Sequence, residues 1–114
     1  MATTGNTEGV VHDASKQRFA IYSTADNQEI GYLEYEQRQP TSNTTVLDLQ
    51  HTVVHPAGRG QGLAQKLCDA AFVYARDQGF KVIPTCSYIS DTYLKRSTLP
   101  DAAHLVYTGQ QGDN

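Results

Sequence analysis

The sequence has no tryptophan, a single methionine and only two cysteines in 114 residues. Two cysteines do not build a disulfide framework, and Cys68 and Cys86 lie too far apart for a Cys-x-x-Cys motif. The simplest reading is a cytoplasmic chain with reduced thiols. No apolar run approaches the roughly 20 residues that span a bilayer, so no membrane association is expected. Basic residues are also scarce. Nine Lys and Arg stand against twelve Asp and Glu, a formal net charge of −3. Nucleic-acid binders neutralise phosphates with clustered cations, so no nucleic-acid partner is expected. An anionic ligand would have to be held by local geometry. Residues 1–8 are polar and lack the apolar core of a signal peptide. Together with 109–114 they are expected to be flexible tails around one domain, residues 9–108.

What is present is patterned. Segments 10–12, 18–23, 29–37 and 45–55 alternate apolar and polar residues and are joined by short turn signals, which predicts an antiparallel meander. Residues 39–43, which include Pro40, read as a loop. In the longest predicted strand, 45–55, strict alternation puts Leu47, Leu49, His51 and Val53 on one face. Val46, Asp48, Gln50, Thr52 and Val54 fall on the other. At Pro56 the period changes. From 60 to 78 apolar residues recur every three or four positions (Leu63, Leu67, Ala70, Ala71, Tyr74), with Gln65, Lys66, Asp69, Arg76 and Asp77 opposite. This predicts an amphipathic helix stopped by Gly79. A short buried strand over 80–83 and a short helix over 87–95 follow, and 99–107 is ambiguous. The order argues for an α+β fold, helices against a mainly antiparallel sheet.

The junction between the longest strand and the long helix reads His55-Pro56-Ala57-Gly58-Arg59-Gly60-Gln61-Gly62-Leu63-Ala64. The first turn of a helix leaves backbone N–H groups without partners, and the helix dipole adds partial positive charge there. Glycines let a bulky anion reach those groups, so the segment is suited to cradle phosphates without net basic charge. Arg59 adds a local cation. A P-loop would need Lys-Ser or Lys-Thr after the glycines, and a dinucleotide fingerprint needs GxGxxG; neither spacing is present. On the glycines alone, a ligand-free turn is equally open.

Arg59-x-x-Gly62-x-Ala64 matches the [RQ]-x-x-G-x-[GA] acyl-CoA signature of the GNAT superfamily of N-acetyltransferases. Thr52-Val53-Val54-His55-Pro56 is similar to that superfamily's strand ending in V-x-P. With Asp48-Leu49-x-His51-Thr52-x-Val54 and Ile83-Pro84-Thr85-Cys86-Ser87-Tyr88, the chain resembles a subfamily of short, single-domain GNAT proteins from about Val10 to Arg96. The resemblance implies a mixed, mainly antiparallel sheet with a long helix after the longest strand and a short C-terminal helix. It also implies acetyl-CoA as cofactor and an amine acceptor, a small molecule or a protein, as partner. The diphosphate would sit on the amides of Arg59, Gly60, Gln61, Gly62, Leu63 and Ala64. The pantetheine arm would pair with the backbone of Thr52, Val53 and Val54. The usual last two strands are hard to find after Arg96.

Acetyl transfer to an amine needs a base, a polarised thioester carbonyl and a stabilised leaving thiolate. Four candidates follow. Cys86 lies near a predicted helix start, where a thiol pKa falls. The resemblance places it at the active site as a covalent acetyl acceptor or a lining residue, and the rival reading is a small buried thiol. His51 is a general base or a hydrogen-bonded core histidine. Asp48 matches the position of a catalytic carboxylate in histone-type relatives, yet strict alternation separates it from His51 unless a bulge intervenes. Tyr93, and with less support Tyr88, is a proton donor to the thiolate or a packing aromatic. No metal is expected. His51 and His55 would lie roughly 13 Å apart on a strand, too far for one ion. The leading reading is an acetyl-CoA-dependent N-acetyltransferase. Its rivals are a CoA-binding module with little turnover and a pure interaction domain.

Overall fold

A computed structural model of the chain describes residues 9–97, 99 and 102–108; the expected tails lie outside them. Strands β1 (Val10–Asp13), β2 (Arg18–Tyr22), β3 (Glu29–Thr41) and β4 (Thr44–Val54) form an antiparallel meander. Strand β5 (Lys81–Ile83) joins β4 in parallel, and the sheet order is β1-β2-β3-β4-β5. Helix α1 (Leu63–Gln78) connects β4 to β5, as a parallel crossover requires. Helix α2, residues 87–96, includes a π-helical segment Ile89–Tyr93 and the α-turn Leu94–Arg96. Pro56–Gly58 and Ala103–Leu105 are single 3₁₀ turns. The architecture is the α+β arrangement expected from the sequence. Among the described residues no helix is long and apolar enough to cross a membrane.

Several boundaries differ from the sequence reading. The longest strand is β3, with 13 residues against 11 in β4. Pro40 lies inside β3, not in a loop, and Ser42 and Asn43 alone make the turn. Pro40 is tolerated because the β3–β4 register shifts between Arg38 and Thr41, where a missing N–H breaks no regular ladder. The ambiguous 99–107 stretch returns to the sheet at one point. Val106 bridges Val82 in parallel, and Tyr107 N–H donates to the Val82 carbonyl at 2.8 Å.

The core lies between α1 and one face of the sheet. Leu67, Cys68, Ala71, Phe72 and Ala75 of α1 are fully buried, as are Leu33, Leu47, Leu49 and Val82 of the sheet. Each large side chain buried here contributes roughly 1.5–3 kcal/mol. Gly79 ends α1 in a left-handed conformation, φ 77°, and its N–H caps the Ala75 and Arg76 carbonyls.

The strict alternation expected of β4 does not hold. Tyr35 pairs with Leu49 but Glu34 pairs with His51, so Gln50 is an extra residue, a β-bulge. The bulge reverses the parity of everything after it. Leu47 and Leu49 stay on the core face, but Thr52 and Val54 join them, opposite Leu33 and Gly31. Val46, Asp48, His51 and Val53 share the second face with Arg38, Glu36, Glu34 and Tyr32.

β1 is fixed to α1 by a histidine in an aromatic box. His12 stacks on Phe19 at 4.1 Å, meets Tyr74 edge-on at 4.4 Å, and bonds the Tyr35 hydroxyl at 2.6 Å. Burial lowers the His12 pKa, against a smaller upward pull from Asp13; burial also pushes Tyr35 up to about 12. The fold therefore favours neutral imidazole. Its contribution is complete above the unfolded pKa of about 6.5 and is lost as pH falls through the lower native value. Between about pH 7 and about pH 5, the melting temperature is expected to fall more steeply in the wild type than in His12→Phe.

Candidate functional site

The β4–α1 junction is built around three glycines with different roles. Gly58 is a packing residue: a Cβ there would sit 2.6 Å from Leu63 Cδ1 and 2.8 Å from the Ile30 carbonyl. Gly60 and Gly62 adopt φ 81° and φ 70°, left-handed values that favour glycine, and nothing lies within 4 Å of a Cβ at either. Because of those two conformations α1 begins at Leu63, three residues later than the periodicity suggested. Gly62 is its N-cap, and no side chain caps the helix. Lys66 N–H bonds the Gly62 carbonyl at 3.2 Å as the first intrahelical bond. The amides of Leu63, Ala64 and Gln65 precede it, in the positions a helix leaves without intrahelical partners. Arg59 is exposed beside them. This arrangement fits a diphosphate. Depressions flank the helix start. One of about 490 Å³ lies on the β2–β3 side, lined in part by Tyr22, Asp26, Glu29 and Leu63. Another of about 220 Å³ is lined by Gln61, Gly62, Gln65, Lys66 and Asp69.

From the cradle, β4 runs back toward a parting in the sheet. β5 pairs with β4 only at Val46–Lys81, Leu47–Val82 and Asp48–Ile83. Cys86 N–H then donates to the Leu49 carbonyl at 2.9 Å. Among the described residues this is the last backbone bond between the two segments. Thr52, Val53 and Val54 pair with β3 on one side only. The Thr52 hydroxyl faces the core thiol of Cys68, which burial pushes well above the usual thiol range.

Around the vertex of the parting the four candidate reactive residues separate: Asp48 and His51 share the second face of β4, whereas Cys86 packs against the core cluster. Cys86 is half-buried there, and its carbonyl accepts from Ile89 N–H at 3.0 Å and Ser90 N–H at 3.1 Å, so it opens α2. Asp48 is buried, and both its carboxylate oxygens are engaged. Thr85 Oγ1 donates to one, and Arg38 Nη2 reaches the other at 2.9 Å. His51 is exposed, not a core histidine, and the bulge puts it on the Asp48 face. Tyr93 stands apart. It is 1% exposed, packs on Phe72, and donates its hydroxyl to Asp69 at 2.5 Å. Burial, then the Asp69 bond, raises its pKa. A phenol so placed is a packing and tethering group. Tyr88 is partly buried on the same helix, and burial raises its pKa too.

Sequence reasoning missed Asp69, Arg38 and Thr85. Asp69 falls on the polar side of the helical wheel, yet is 1% exposed because Tyr93 and α2 close over it. Its place at the flank of the apolar stripe, one residue after Cys68, was the only signal. Arg38 and Thr85 matter through Asp48, a contact between segments 37 residues apart.

The sequence profile of the GCN5-related N-acetyltransferases matches residues 18–105. Over 92 residues the chain is 32% identical to Protein NATD1 of Mus musculus, covering 80% of this chain and 77% of that protein. The Gallus gallus protein of the same name matches with the same identity and coverage. Among solved structures, the fold is similar to a GCN5-like protein from Staphylococcus aureus, with TM-score 0.53 and 27% identity over 90% of this chain and 89% of that one. It also resembles an acetyltransferase from Trypanosoma brucei, with TM-score 0.55 and 22% identity; the match covers 78% of this chain and 61% of that longer one. The profile spans most of the chain, the relatives cover four-fifths of it, and the fold agrees; the chain belongs to the GCN5-related N-acetyltransferase family.

Proposed function

We propose that this protein transfers the acetyl group of acetyl-CoA to a primary amine. One observation carries the reading: β5 parts from β4 at Cys86, so among the described residues the backbone edge of residues 52–54 is unpaired between that point and an uncapped helix start. Bound acetyl-CoA supplies an activated thioester. The amides of residues 59–64 hold its diphosphate, and the free edge of Thr52, Val53 and Val54 lines its pantetheine arm. The bulge at Gln50 leaves one extra residue out of the ladder beside the vertex, and its backbone N–H is the group assigned to polarise the thioester carbonyl. His51, exposed on the second face, takes a proton from the incoming amine as the N–C bond forms; the C–S bond then breaks and CoA leaves as a thiolate that solvent protonates. Asp48 is held by Thr85 and Arg38, so its part is to position, while Cys86 borders the reacting centre.

Calorimetry with acetyl-CoA and product formation with a panel of amines test this reading. Both signals are expected in the wild type. Cys86→Ala is expected to lower turnover at least about tenfold and to remove the thiol labelling that CoA protects. Binding without turnover on any amine would point to a CoA-binding module. No binding at all would overturn the reading. An unchanged rate in Cys86→Ala would remove the cysteine from the mechanism.

A further inference from the structure

The second face of the sheet carries a continuous chain of polar contacts around the vertex. Thr85 Oγ1 donates to Asp48 Oδ1. Arg38 Nη2 lies 2.9 Å from Asp48 Oδ2 and 2.9 Å from Glu36 Oε1. Gln50 Nε2 donates to the same Glu36 oxygen at 3.3 Å. The two ends of this chain are informative. Thr85 immediately precedes Cys86, whose N–H is tied to Leu49. Gln50 is the bulge residue and immediately precedes His51.

We infer that Arg38 is a positioning residue, the bridge that sets the Cys86 segment and the β4 bulge in one fixed relation. The inference rests on the acetyl-transfer reading above, since that reading gives the vertex its task. Glu36 and Asp48 are direct cross-strand partners. Like charges in that relation repel. The guanidinium between them turns the repulsion into a clamp, and Asp48, whose side chain is only 10% exposed, is held where Thr85 reaches it. Without Arg38 the two carboxylates are expected to swing apart. Asp48 then releases Thr85 at one end, and Glu36 releases Gln50 at the other. Both contacts use one nitrogen, so a lysine, with three donors on one ammonium, reproduces the bridge. Arg38 is itself half-exposed, so the effect falls on placement more than on folding.

The test uses the full chain, with kcat and KM for acetyl-CoA measured beside the rate of Cys86 alkylation by iodoacetamide. Cys68 is fully buried, so alkylation reports Cys86. In Arg38→Met, kcat is expected to fall about tenfold with KM within about twofold, and the alkylation rate to change at least about threefold. Arg38→Lys is expected to recover both. Thr85→Val cuts the same chain at its other end, so the double variant is expected to be no slower than the slower single one. The inference is overturned if Arg38→Met leaves kcat and alkylation unchanged. Equal impairment of the lysine variant, or losses that simply multiply, would overturn it as well. If the wild type acetylates no amine, the acetyl-transfer reading fails separately, and the alkylation rates of the same variants still decide the role of Arg38.

Discussion

Gly62→Asp is expected to weaken acetyl-CoA binding about 100-fold while lowering the melting temperature by less than about 8 °C. The two halves of this expectation have different origins. Gly62 sits at φ 70°, and nothing lies within 4 Å of the point where a Cβ would project, so the new side chain meets no atom of the fold there. Aspartate is among the residues that tolerate left-handed backbone best, and the conformational cost is of the order of 1 kcal/mol. The open space that spares the fold is the space a diphosphate would occupy. A carboxylate there takes up the helix-start amides and faces the phosphates at close range, on the order of 2–3 kcal/mol against binding. Calorimetry of the variant beside its thermal melt reads both quantities. Undiminished affinity in a folded variant would place the diphosphate elsewhere.

Gly58→Ala is expected to do the reverse, damaging the fold first. Its Cβ would collide with Leu63 Cδ1 at 2.6 Å and the Ile30 carbonyl at 2.8 Å, and crowd Ile30 Cβ at 3.2 Å. One of those atoms is main chain of β3, which cannot rotate away. Overpacking of this kind costs about 1–3 kcal/mol, a drop of about 5–20 °C in melting temperature for a domain of this size. The clash also lands on Leu63, the first residue of α1, so acetyl-CoA affinity should fall with stability. A thermal melt indistinguishable from wild type would show that the 56–62 turn relaxes freely. Two glycines four residues apart thus separate by readout: one guards the packing beneath the turn, the other the opening above it.

Much of this was legible in the residues. Period-two alternation placed four strands, and the switch to a 3.6-residue period at Pro56 placed α1. The glycines marked the tight turn between β4 and α1 because left-handed backbone and close approach both leave a compositional trace. What could not be read was the bulge. One extra residue at Gln50 carries no turn chemistry of its own, and both Val53 and Val54 are apolar, so either parity satisfied the pattern. The only hint was that Leu47 and Leu49 favour odd positions and Thr52 and Val54 even ones. The fate of His51 hung on that step, because parity decides whether it enters the core or leaves it. Tyr93 and Asp69 were hidden for another reason. Their bond joins two helices, and a helical wheel drawn for one of them cannot know that the other will cover it.

The shortness of the β4–β5 pairing has a thermodynamic side. Three paired positions, the Cys86–Leu49 bond and the Thr85–Asp48 bond are the hydrogen-bonded contacts that join the β5 segment to β4, with Val82 adding core packing. A seam so lightly stitched opens at lower free energy than the antiparallel meander beside it. A cosubstrate laid along the gap would add its own hydrogen bonds between the two halves and act as a strut as well as a reagent. Occupancy and cohesion are then linked by mass action, worth about 2.7 kcal/mol at a hundredfold excess over Kd. The protein would be most firmly assembled when the thioester is plentiful, and would loosen at its own reaction centre when the supply falls.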